Sequence, residues 1–77
     1  MDTYLKSALF RYDNRPNDHF LCLLVLELGR CSTQGLLTTE DAQEIMAVAG
    51  KHDPHERGGY RTIKAMILGA FPASLEN

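Results

Sequence analysis

Phe20-Leu21-Cys22-Leu23-Leu24-Val25-Leu26-Glu27-Leu28 is the stretch that decides the fold, because Glu27 is its only residue that is not apolar. A run of this length fits either a fully buried strand or a helix that is apolar most of the way round, and periodicity alone does not separate the two. Composition favours the helix. Five of the nine residues are leucine and only Val25 is β-branched, whereas buried strands favour valine, isoleucine and threonine, whose stiff side chains suit a pleated surface.

The flanks support the helix. Asn17 and Asp18 follow Pro16, and a short side-chain acceptor at this point can take the free amides of a first helical turn. Gly29 or the Cys31-Ser32 region is the expected end. A helix from about Asn17 to Arg30 is roughly 20 Å long, too short to cross a membrane, which takes about 20 mostly apolar residues. The alternative, an α+β domain with Phe20 to Leu28 as a strand, requires a partner strand from another chain, because a lone strand cannot satisfy its own backbone.

Moving upstream, Asp2 or Thr3 can cap a first helix running to about Tyr12, with Tyr4, Leu5, Ala8, Leu9 and Tyr12 at helical offsets on one apolar face. Phe10 falls off that face. Asp13 to Asn17 reads as a polar break, since Asp and Asn bond their own backbone in turns and Pro16 pushes Arg15 out of the α region.

Downstream, Ser32 to Gly35 reads as a short polar loop. Thr38 and Asp41 are spaced as a short form of the capping box, and Leu37 and Ala42 sit where a hydrophobic staple belongs. Ala42, Ile45, Met46 and Ala49 then give a helical stripe, with Gly50 placed to end it in the left-handed region. Lys51 to Gly59 is a loop by composition. A last helix starts near Gly59 or Tyr60, carries Tyr60, Ile63, Met66, Ile67, Ala70 and Phe71 on its apolar face, and runs to Phe71, where Pro72 stops it. Ala73 to Asn77 reads as a frayed tail, with Leu75 able to dock.

The sequence therefore predicts a single all-α domain, residues 1–77: a small bundle of about four short helices around a central apolar helix. A chain of 77 residues has no room for a second core. Ten acidic and eight basic residues give a net charge of −2, which argues against a surface that is basic throughout. The cysteines, Cys22 and Cys31, lie nine positions apart, an offset of about 13.5 Å along one helix against a disulfide limit of about 7 Å between Cα atoms. A bridge opens only if the helix ends before Cys31. Free thiols, with neither a signal peptide nor a membrane-spanning run, lead to a cytoplasmic expectation.

Three clusters bear on chemistry. His52, Asp53, His55 and Glu56 are metal-ligand types at close spacing, but Asp53-Pro54 is also a common turn opener, and a solvated polar loop accounts for the four residues without a metal. Lys51, Arg57, Arg61 and Lys64 surround Gly58-Gly59, where a helix N-terminus adds partial positive charge, so an anion or a nucleic-acid backbone is an alternative ligand. The second and third helices invite a helix-turn-helix reading, but Glu40, Asp41, Gln43 and Glu44 on the third would repel phosphate. No nucleophile and base stand at a spacing that suggests catalysis. No metal or cofactor is expected, and the chain reads as a non-enzyme.

What remains is a protein-interaction domain acting as a small regulator, adaptor or inhibitor. The central helix has more apolar circumference than four segments easily cover, which points to another protein or to a homodimer. The contact residues on this reading are Phe10, Phe20, Leu24 and Leu28, with Glu27 marking the wet side.

Overall fold

The computed structural model describes residues 1–53 and 58–71; His55, Glu56, Arg57 and Leu75 lie outside this range. The protein is all-α, with four helices and no strand among the described residues. The chain divides into two units, Met1–Leu37 and Thr38–Asn77.

The first unit pairs α1 (Thr3–Asn14) with α2 (Asp18–Gln34). Asp2 caps α1, its carboxylate accepting from the amides of Tyr4 and Leu5 at 3.0 and 3.1 Å, and so satisfies two of the donors a helix start leaves open. The polar break begins later than the composition suggests, because Asn14 stays helical and its side-chain amide donates to the Phe10 carbonyl. The non-helical link is residues 15–17, beginning at Arg15 directly before Pro16. Asn17 then caps α2 by accepting from Phe20 N–H at 2.9 Å.

Phe20 to Leu28 lies inside α2, so the strand alternative falls. The helix also outruns its expected end. Gly29 is an interior residue, and Ser32 to Gln34, expected as loop, are helical. The stop is Gly35, at φ +71°, with Gly35 N–H reaching the Ser32 carbonyl and Leu36 N–H reaching the Cys31 carbonyl. That pair of bonds is a Schellman ending, which needs a residue in the left-handed region.

Buried positions in α2 are Leu24, Leu28 and Cys31, and in α1 they are Leu5, Ala8, Leu9 and Tyr12. Tyr4, expected on the apolar face, is 70% exposed. Arg30 lies 5.7 Å from its ring centroid, so the ring serves as a surface for a cation and not as core.

The second unit pairs α3 (Thr39–His52) with α4 (Gly58–Ala70). The capping box is present: Thr38 Oγ1 accepts from Asp41 N–H at 3.1 Å, and Thr38 N–H donates to the Asp41 carboxylate at 3.3 Å. Gly50 does not terminate α3, which runs on to His52. Its role is spatial, since a Cβ built there would stand 3.5 Å from the Tyr60 ring of α4.

The two glycines therefore carry opposite expectations. Gly35→Ala forces an alanine into the left-handed region and should cost about 1–2 kcal/mol. Gly50→Ala adds only an ordinary van der Waals contact in a helix interior and should stabilise by up to about 1 kcal/mol. Urea titrations of both variants followed by circular dichroism check the pair; the same sign for both would contradict this assignment.

Candidate functional site

The candidate site is a groove between α3 and α4. Helical spacing sets its walls. Gln43, Met46 and Ala47 from α3 face Lys64, Ile67 and Leu68 from α4 around a volume of about 410 Å³. Four of the six are apolar, and the two polar side chains stand on different helices. Ile67 is buried, Met46 and Leu68 are half-buried, and Gln43, Ala47 and Lys64 are exposed, so the groove is open to solvent above an apolar floor.

Position along the helices follows from the antiparallel pairing. Gly50 of α3 meets Tyr60 of α4, while Gln43 and Met46 share the groove with Ile67 and Leu68. The end of α3 thus lies beside the start of α4. Ala47 is the small residue that leaves the space open, and Met46 is an unbranched, polarisable side chain able to reshape around an occupant.

The start of α4 is the region read as an anion site. Its Tyr60 amide already has a carboxylate: Asp53 Oδ2 accepts from Tyr60 N–H at 3.1 Å. A helix N-terminus attracts anions through its free amides and partial positive charge, and here an internal acid has taken that place. Lys64 lies 5.9 Å from the Tyr60 ring centroid, so this ring already carries a cation on its face. Lys51, Arg61 and Lys64 are all exposed, whereas Arg57 lies outside the described residues.

Other predicted positions fare differently. Phe10 is 68% exposed, whereas Leu24 and Leu28 are fully buried and present no surface. Phe20 is half-buried. Within Phe20 to Leu28 the exposed positions are Cys22 and Leu26, the latter 68% exposed. Among the described residues, no group of three His, Cys, Asp or Glu side chains stands where it could hold a metal ion. No helix among them is long and apolar enough to cross a membrane.

In the first unit the polar chemistry gathers on Arg30. It donates to Glu27 at 2.9 Å, to the Asp2 carboxylate, and to the Gln34 side chain at 3.4 Å. Glu27 is thus part-exposed and paired, beside α1 residues Tyr4, Ser7, Ala8 and Arg11, while the outward side of Phe20 to Leu28 is held by Cys22 and Leu26. Cys31 is buried and Cys22 exposed, both as free thiols; burial pushes the Cys31 thiol up from its ordinary range. The continuous helix rules out a bridge between them.

The Leu5 amide and the Arg30 guanidinium hold the Asp2 carboxyl below its ordinary value of 3.8. A carboxyl whose pKa is depressed by folding stabilises the folded chain fully above the ordinary value and loses that contribution as pH falls through the depressed one. Wild-type stability should therefore fall as the pH drops below about 4, and Asp2→Asn should flatten that part of the profile. Urea midpoints measured at a series of acidic pH values check this, and parallel profiles for the two proteins would refute it.

Sequence reading missed the groove as a unit. It placed Met46 and Ile67 on separate apolar stripes and did not single out Ala47 or Leu68. The available signal was Leu68, an apolar residue one position beyond the Ile63 and Ile67 stripe. Comparison with family models, curated proteins and solved structures finds no match to this chain.

Proposed function

We propose that this chain is a non-catalytic protein-interaction module, a small regulator, adaptor or inhibitor that works by occupying a surface on another protein. The observation that carries the reading is the open apolar groove of α3 and α4, floored by Met46, Ile67 and Leu68 and edged by Gln43 and Lys64. Grooves between two helices take the apolar face of a third, with large side chains at helical spacing as anchors. Exposed Phe10 and Leu26 add apolar surface on the other unit, and free thiols suit a reducing, cytoplasmic setting.

Binding of nucleic acid through Lys51, Arg57, Arg61 and Lys64 is the competing reading. The Asp53 carboxylate on the Tyr60 amide weighs against it, because a phosphate would have to displace or approach a like charge.

A displayed library of amphipathic helical peptides, selected on the immobilised protein, tests the reading. Selected peptides should lose at least tenfold in affinity against Ala47→Arg, which fills the groove from an exposed position. Failure to select any peptide, or selected peptides indifferent to Ala47→Arg, would refute the groove as an interaction surface.

A further inference from the structure

We infer that the occupant of the α3 and α4 groove is an acidic amphipathic helix of another protein, with apolar residues along one face and carboxylates beside them at one end. The inference rests on the interaction reading above and adds the chemistry of the partner.

Charge around the groove is unevenly placed. Lys64 lines it from the middle of α4. Side chains on a helix lean towards its N-terminus, and the Lys64 ammonium lies 5.9 Å from the Tyr60 ring centroid, so its charge is carried back towards the start of the helix. Arg61 precedes Lys64 by three positions and stands on the same stripe. On α3, Lys51 follows Ala47 by four positions, and the antiparallel pairing puts the end of α3 beside the start of α4. Three cations therefore edge one end of the groove, and all three are exposed.

Among the described residues, the acids nearby do not cancel them. Asp53 is half-buried and holds the Tyr60 amide. Glu40 precedes Gln43 by three positions and so lies at the opposite end of the groove, and Glu44, the residue after Gln43, is turned about 100° from it round the helix.

A ligand for this face has to offer apolar surface and negative charge together. A nucleic-acid backbone supplies the charge but leaves Met46, Ile67 and Leu68 uncovered. An amphipathic helix supplies both, since large side chains at helical spacing fill the groove while carboxylates next to them meet Lys64, Arg61 and Lys51. Each such pair at an exposed rim is weak. Its main effects are on the choice of partner and the rate of encounter, and both fade as salt rises. The apolar floor thus supplies affinity, and the cations select which helix is bound.

A displayed library with a leucine stripe fixed at helical spacing and every flanking position randomised, selected on the full chain, tests the inference. Expected is enrichment of Asp and Glu beside one end of the stripe. A synthetic peptide of the most enriched sequence should bind at least about tenfold more weakly to the double variant Lys64→Glu, Arg61→Glu, and should weaken on the wild type as salt rises from ~50 to ~500 mM. Its counterpart with each acid changed to Lys should bind poorly to the wild type and regain affinity for the double variant. Both positions are exposed, and circular dichroism of the variant verifies the fold. Selected peptides without acidic enrichment, or indifferent to the double reversal, or a charge-reversed peptide that gains nothing on the double variant, would overturn the acidic helix as occupant. So would tighter binding of a mixed-sequence DNA duplex than of the peptide, lost in the double variant. If peptides are selected that lose affinity against Ala47→Arg yet keep it against the double reversal, the acidic helix fails and the interaction reading stands; if no peptide is selected, both fail.

Discussion

Leu28→Ala should remove about 2–5 kcal/mol of stability. Leu28 is fully buried in α2, and its truncation loses both the transfer of the side chain from water and the contacts around the space left behind. A chain of 77 residues holds roughly 4–12 kcal/mol in total, at about 0.05–0.15 kcal/mol per residue, so this single change takes a large fraction of the margin. Leu26, two positions earlier on the same helix, is 68% exposed. Leu26→Ala should stay within about 0.5 kcal/mol of wild type. Chemical denaturation of the two variants side by side isolates burial from residue type, and a Leu28→Ala loss below about 1 kcal/mol would show that α2 is turned differently from the orientation described.

Ile63→Ala is the second large effect, expected at about 2–5 kcal/mol, with consequences concentrated in α4. Ile63 and Ile67 are the buried positions of that helix, and its first two residues are Gly58 and Gly59, each costing about 1 kcal/mol of helix propensity relative to alanine. Packing therefore carries α4 where propensity does not. Hydrogen exchange should show protection lost across Gly58–Ala70 before it is lost in α1, and Ile63→Val should produce the same pattern at about 0.5–1.5 kcal/mol. Uniform loss of protection at every amide would argue against a locally released helix.

The parts of the fold legible in sequence are those decided within a few residues. Asp2, Asn17 and the Thr38-Asp41 pair each act on amides two or three positions away, and their side-chain chemistry needs no tertiary partner. The leucine-rich run read as a helix for the same reason, since few of its side chains prefer a strand. What failed was long in range. Gly29 and Gly50 look alike to Gly35 in the sequence, yet only Gly35 lies in the left-handed region. Gly50 is helical beside the Tyr60 ring, a neighbour ten positions downstream that no local rule selects.

The orientation of α2 was half legible. Glu27 is half-buried at the flank of the outward side, and nothing local distinguished Leu24 and Leu28, which are buried, from Leu26, which is not. The groove was the least legible element. Ala47 and Leu68 acquire meaning only when α3 and α4 lie side by side, because an exposed alanine is a gap only if walls stand around it.

Both helix pairs join neighbours in the chain. Residues 15–17 link α1 to α2, and residues 53–57 link α3 to α4, with the Asp53 carboxylate bonding Tyr60 N–H across the second link. Closing such short loops costs little chain entropy, and helical proteins dominated by contacts close in sequence fold in microseconds to milliseconds. Each pair can zip as soon as its second helix is available, so on the ribosome α1 and α2 have the means to associate before α4 has been synthesised.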